Sequence, residues 1–366
     1  MSVTAGESYL PGARGRCHFT PAAIHFTPDI KRRRTDMVRP AAQPGARRPI
    51  ESIAFLLVPG FSLMSYAAAV EPLRAANTLA GKLLYRWYHA SPSDKAAVAS
   101  NGAAIVPDCK FGARLRALDL MLVCAGGNPA LFKDTRTFKW LRQLAAERVA
   151  VGGISGGPYI IARAGLLEGR RCTLHWEHAP AFQEAFPDVR LTRSLFEVDG
   201  DRITCSGGIA GLDMMVSLIT RDHGYALGAA VGEWFLHTHL REGGGPQRMD
   251  LRVRLGIGDE HLLRALRGME ENLESPLSRE ELASLAAVSL RHLDRIFRTQ
   301  LGRGVHEHYL GLRLSRAKQL LRETSLSVVQ VSVATGFGSP SQFSRAFKRI
   351  CGVAPQEFKL TSGQKH

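Results

Sequence analysis

The chain of 366 residues is long enough for two domains plus tails, and no run of about 18 apolar residues exists, so a membrane-spanning helix is not expected. Its net charge of +15 suits a polyanionic partner, although composition alone fits a merely soluble basic protein as well. The six cysteines (17, 109, 124, 172, 205 and 351) show no C-x-x-C and no pairing pattern, which points to free thiols in a reducing cytoplasm.

Residues 1–49 are rich in Pro, Gly, Ala and Arg, include Lys31-Arg32-Arg33-Arg34, and have neither helical nor strand periodicity. No apolar stretch follows the basic start, so this is no secretory signal. A disordered basic tail is predicted, with non-specific DNA contact by the arginine run as the alternative.

Residues 50–241 alternate strand and helix signals. The apolar run Ile53–Val58 stops at Pro59-Gly60 and reads as a buried parallel strand. A helix is predicted from Leu63 to Leu79, a second buried strand from Leu118 to Cys124 before Gly126-Gly127, and a helix over 131–146. Val149–Gly152 then leads through Gly153-Ile154-Ser155-Gly156-Gly157 into a helix over 158–166, and Arg171–His175 is a fourth strand candidate. Such alternation implies a doubly wound, flavodoxin-like α/β sheet. Ligands in these sheets bind beyond the C-terminal strand ends, which here carry Phe61-Ser62, Gly126-Gly127, Ser155 and His175.

Gly153–Gly157 fits G-x-S-x-G, the strand–turn–helix elbow of serine hydrolases. A hydrolase needs a base and an orienting acid. His175, His178 and His223, with Glu71, Glu177 and Asp213, are available, but spacing does not choose among them. His175 with His178, and His237 with His239, have the spacing of metal ligands but lack a third, so neither metal nor cofactor is expected.

Leu227–Leu240 reads as the last helix of this part. Arg241–Pro246 breaks structure and opens a flexible linker over 242–258, and a helical domain is predicted for 259–360. That domain contains an internal repeat. Ser289–Arg298 recurs 50 positions later as Ser339–Lys348, with Leu293 matched by Phe343, Arg295 by Arg345 and Phe297 by Phe347. Each copy opens on a capping serine and sets Leu293, Ile296, Phe297 or Phe343, Ala346, Phe347, Ile350 on one face. A short helix precedes each copy, the first with a Ser278-x-x-Glu281 capping box, the second from Ser327 to Thr335 before Gly336-Phe337-Gly338. Helix, turn and basic-faced helix is the helix-turn-helix pattern. The long predicted helix Val305–Thr324 would hold two such units in successive major grooves, roughly 34 Å apart. By position, Arg291, Asp294 and Arg295 face bases in the first unit, and Ser341, Gln342 and Arg345 in the second. Lys348 and Arg349 face phosphates. Asp294 either accepts from cytosine or braces Arg291 or Arg298 on its own helix.

Arg313-Leu314-x-x-Ala317-x-x-Leu320-Leu321, Gly336-Phe337-Gly338-Ser339, Phe343-Ser344-Arg345-Ala346-Phe347-Lys348 and Gly352-Val353-Ala354-Pro355 resemble the DNA-binding domain of AraC/XylS regulators over about 90 residues. Gln330-Val331-Ser332 departs from that family's acid, Ile and Ala. The α/β part resembles the PfpI-like, class I glutamine-amidotransferase-like fold. Its elbow usually carries cysteine, followed in the proteases by histidine, where this chain has Ser155 and Gly156. Glu71–Asn77, Ala164–Gly169 and Thr173–Glu177 are similar to the GlxA-like version fused to AraC-type domains. Gly81–Trp87 and His175-Trp176-Glu177 look most like regulators of glycine betaine, carnitine and related catabolism. The resemblance, covering about 50–360, implies a cytoplasmic homodimeric activator of a catabolic operon, working with promoter DNA, RNA polymerase and a small effector, and not an enzyme. It places a methylated amine-carboxylate against Ser62, Gly127, Ser155, Gly156, His175, Trp176 and Glu177. The amides of Gly156 and Gly157 would meet the carboxylate, the Trp176 or Trp87 indole the ammonium, and Glu177 its charge. The alternative for either tryptophan is core packing.

Overall fold

Short extended segments alternate with helices along residues 50–241, the central ones being apolar runs too short for helices. They are β1 (Ser52–Leu57), β2 (Arg86–Ala90), β3 (Ala97–Val98), β4 (Ala104–Ile105), β5 (Leu120–Ala125), β6 (Ala150–Ser155), β7 (Arg171–Cys172), β8 (Arg190–Leu191), β9 (Phe196–Asp199) and β10 (Arg202–Cys205). The computed structural model describes residues 49–115 and 117–363, so the basic tail predicted for 1–49 lies outside the described residues apart from Pro49. Among the described residues the main sheet has six strands, in the order β2-β1-β5-β6-β10-β9. All pairings are parallel except β9 against β10.

Every residue of β1 and β5 is buried, as a sheet covered on both faces requires. Alternate positions divide between two cores. Phe55, Leu57, Leu122 and Cys124 point to one, and Leu56, Val58, Met121 and Val123 to the other. The first face is covered by α1 (Leu63–Ala80), α5 (Ala210–His223) and α6 (Tyr225–Trp234), the second by α2 (Thr135–Ala146), α3 (Gly157–Arg163) and α4 (Ala179–Ala185). This is the doubly wound α/β layering that the sequence predicts.

Two predicted elements differ, and two strands had no prediction. The candidate strand over 171–175 survives only as β7, paired with β8 outside the main sheet. Thr173 turns away because its N–H donates to Thr204 Oγ1 (2.9 Å) and its hydroxyl to Ser194 O (2.7 Å). The sheet positions beyond β6 belong instead to β10 and β9, whose Arg202, Thr204, Glu197 and Asp199 interrupt any apolar run. The helix predicted to reach Leu240 stops at Trp234.

The helical part comprises α7 (Leu251–Leu255), α8 (Glu260–Glu271), α9 (Arg279–Leu285), α10 (Leu290–Leu301), α11 (Val305–Glu323), α12 (Val328–Ala334), α13 (Pro340–Cys351) and α14 (Pro355–Gly363). The predicted capping box of Ser278 with Glu281 forms on α9, and the structure adds a second, Ser327 with Gln330, on α12. The long α11 enters two cores. Val305 and Tyr309 pack with α8, α9 and α10, while Leu310, Leu314, Ala317, Leu320 and Leu321 pack with Phe343 and Phe347 of α13. The connection over 242–258 is anchored rather than loose. Gly243 O accepts from Leu195 N (2.7 Å), and Gln247 Nε2 donates to Ser194 O (2.8 Å) and Leu174 O (3.0 Å). Further on, Leu251 and Ile257 are buried among the helices. Among the described residues no helix is long and apolar enough to cross a membrane.

Candidate effector cavity and nucleic-acid interface

β6 ends at Ser155, which sits at the C-terminal side of the sheet in the left-handed region, at φ +60°. An L-residue held there stores strain of order 1 kcal/mol or more, common at functional sites. Gly207, at φ +91°, closes over it: a Cβ on Gly207 would lie 2.8 Å from Ser155 Cβ and 2.9 Å from Ser65 Oγ. Beside this elbow opens a cavity of about 430 Å³, the size of a small-molecule site. Ser62 caps α1, its Oγ accepting from Ser65 N (3.4 Å), while Ser65 Oγ accepts from Gly208 N (2.8 Å). His175 reaches the same place because its N–H donates to Ser155 O (3.2 Å). Burial, reinforced by His178 and opposed by Glu177, pushes the His175 pKa down and favours a neutral ring.

Of the predicted ligand residues, Ser62, Gly127, Ser155, His175 and Glu177 line the cavity; Gly156 and Trp176 do not. The Gly156 N–H is already taken by Ala125 O (2.9 Å), so it offers an anion nothing. Arg248 lies 4.5 Å from the Trp176 ring centroid and His175 packs at 5.4 Å, so the indole already has a cation on it. Trp87 packs against the core, its alternative reading. Among the described residues no Phe, Tyr or Trp lines the cavity, which mixes the hydroxyls of Ser62, Ser65, Ser100 and Ser155 with imidazoles and charges. Sequence reasoning missed Ser65, although it stands one turn beyond the capping Ser62. It named His178 only as a candidate base or metal ligand, and it missed Arg322 and Glu323. The last two belong to α11, whose end meets the α/β part: Asn128 Nδ2 donates to Arg322 O (2.6 Å), and His178 Nδ1 lies 3.4 Å from Glu323 Oε2. On the same helix, burial holds Arg316 down to about 10, partly offset by Glu184 of α4 and by Glu323.

The hydrolase constellation does not assemble. Among the described residues no hydrogen bond joins Ser155 Oγ to an imidazole. Asp213 instead accepts from His237 Nε2 (2.9 Å) and Arg241 Nη2 (2.6 Å), Glu71 pairs with Arg74 (2.7 Å), and His223 packs edge-on against Tyr85.

The repeated helices carry their predicted polar residues outward. Arg291 and Arg295 on α10, and Ser341, Gln342, Arg345, Lys348 and Arg349 on α13, are exposed, while Leu293, Ile296, Phe297, Phe343 and Phe347 are buried. Ile350, placed inside by its spacing, is 47 % exposed. Asp294 does brace an arginine, but the partner is Arg279 on α9, across the turn, and not Arg291 or Arg298. Arg313 of α11 fastens the second unit: its Nε and Nη2 donate to Thr335 O (2.8 Å) and Gly336 O (2.7 Å), and its guanidinium stacks 4.1 Å from the Phe337 centroid. The arrangement presents two capped, basic-faced helices, each on its own core and joined by one rigid helix.

Residues 51–221 match the DJ-1/PfpI family and residues 282–360 a helix-turn-helix domain family. The chain is 42 % identical over 317 residues to the HTH-type transcriptional regulator GlxA of Rhizobium meliloti, covering 86 % of this chain and 98 % of that one. It is 43 % identical over 303 residues to the regulator CdhR of Pseudomonas aeruginosa (83 % and 90 % covered), and 40 % over 318 residues to GbdR of the same species (87 % and 86 %). These relatives are transcriptional regulators and not enzymes. The chain therefore belongs to the GlxA/CdhR/GbdR family of DNA-binding transcriptional regulators, in which a DJ-1/PfpI domain precedes an AraC-type helix-turn-helix domain.

Proposed function

We propose that this regulator activates a catabolic operon when a small amine-carboxylate fills the cavity beside Ser155, acting in the cytoplasm as a homodimer on promoter half-sites next to RNA polymerase. The observation that carries the effector class is the lining: serine hydroxyls, two imidazoles and side chains of both charges, with no Phe, Tyr or Trp among the described residues. A zwitterion is complementary to such a wall. Quaternary ammonium groups have no N–H to donate and are held by aromatic cages, so dimethylglycine or an amino acid fits this lining better than glycine betaine or carnitine. On the DNA side, Arg291 and Arg295, and Ser341, Gln342 and Arg345, read base edges, Lys348 holds a phosphate, and Asp294 keeps Arg279 in place rather than touching a base.

Calorimetry on the full chain with dimethylglycine, glycine betaine and carnitine tests the effector class. Heat is expected most strongly for dimethylglycine, and Trp176→Ala should leave it in place. Silence with all three, and with a panel of amino acids, would retire the reading. A mobility-shift assay on the DNA upstream of its own gene, with and without dimethylglycine, tests the regulatory half.

A further inference from the structure

The cavity is built from two parts of the chain. Gly60, Ser155 and His175 come from the α/β layer, but Arg322 and Glu323 are the last residues of α11, the helix that carries both DNA-reading units. Among the described residues Arg322 is the only arginine or lysine in the lining. Its main chain is held by Asn128, next to Gly126-Gly127 at the end of β5, through the 2.6 Å bond to its carbonyl. Its guanidinium has no hydrogen bond or ion pair among the described residues, whereas Arg163, Arg202, Arg241 and Arg313 all donate to carbonyls or carboxylates. Glu323, its neighbour, is buried against His178 with side-chain exposures of 8 % and 6 %.

From this juxtaposition we infer that Arg322 is the carboxylate-binding residue of the effector site, so that the site is complete only when the DNA-binding part is docked on the sensor. The inference rests on the effector reading above and extends it to how the signal travels. A guanidinium with five fixed donors is the side chain best shaped for a carboxylate. The effector's ammonium then meets Glu323 and competes with His178 for it. Because α11 enters the cores of both helix-turn-helix units, a change in how its last turn is held reaches both readers directly. By linkage, whatever strengthens effector binding through Arg322 must strengthen docking of α11 by the same factor.

The test is calorimetry on the full chain with two probes, dimethylglycine and 2-(dimethylamino)ethanol, which keeps the amine and lacks the carboxylate. Arg322→Ala should weaken dimethylglycine roughly ten- to a hundredfold, the range of a lost charge-assisted hydrogen bond, and leave the amino-alcohol unmoved. Arg322→Lys should recover part of the loss. Dimethylglycine should also change the mobility shift of wild-type protein and not that of Arg322→Ala. Binding by wild type that Arg322→Ala leaves intact overturns this inference alone, and so does an equal loss for both probes, which would report a damaged cavity. Silence of wild type with every zwitterion overturns the effector reading and this inference with it.

Discussion

The close approach of Gly207 to the Ser155 elbow offers a perturbation whose size follows from the coordinates. An alanine at Gly207 must adopt φ +91° and place its Cβ 2.8 Å from Ser155 Cβ, 2.9 Å from Ser65 Oγ and 3.1 Å from Ser155 Cα. The left-handed backbone costs an L-residue about 1–2 kcal/mol, and forcing a methyl into a packed site costs about 1–3 kcal/mol. Gly207→Ala should therefore destabilise the α/β part by about 2–5 kcal/mol. Ser155→Gly alone should be close to neutral: it relieves the strain at φ +60° but loosens the unfolded chain by a comparable ~0.5–1 kcal/mol. In the double variant the nearest clashing atom is gone, so the two effects should couple by about 1 kcal/mol. Urea unfolding followed by tryptophan fluorescence measures this, since Trp87, Trp140, Trp176 and Trp234 all lie in the α/β part. Additivity within about 0.5 kcal/mol would refute the close approach of Gly207 to Ser155.

In the DNA-binding part, Arg295→Ala or Arg345→Ala should each weaken specific binding by about 1–3 kcal/mol and relax preference at one base position. Lys348→Ala should weaken all sequences alike and lower the salt slope by about one; mobility shifts at several salt concentrations separate the two, and indifference to both arginines would remove them from the interface. Gly336→Ala should destabilise the second unit and abolish its grip on DNA, because the new Cβ at φ +73° would sit 2.5 Å from Pro276 Cγ; a normal circular-dichroism melt with normal DNA affinity would contradict this. His308 is buried, its Nδ1 has no partner among the described residues, and burial, then Arg303, pushes its pKa down to about 4. The folded state thus binds the proton more weakly than the unfolded chain, and stability is lost as pH falls from about 6.5 to about 4, by up to about 3 kcal/mol. His308→Leu should flatten that part of the acid limb in urea midpoints measured from pH 7 to 4, and an unchanged limb would acquit His308.

What can be read without coordinates is what a few neighbouring residues decide. Helix caps, apolar spacing within α10 and α13, and the buried runs of β1 and β5 involve partners no more than about four residues apart, or side chains that must all be apolar because both faces are covered. The repeat of Ser289–Arg298 in Ser339–Lys348 therefore marks two capped helices with basic outward faces, and Ser155 the end of a strand, from the sequence alone. β9 and β10 escape notice because their polar residues mask the pattern. Trp176 misleads because a cation from the connecting segment, Arg248, reaches it first. The cavity wall is beyond any local signal: 194 residues separate Asn128 from Arg322 and 145 separate His178 from Glu323. Which charged ends meet across such distances is settled by how the packed faces of α4 and α11 dock, and only the folded chain contains that answer.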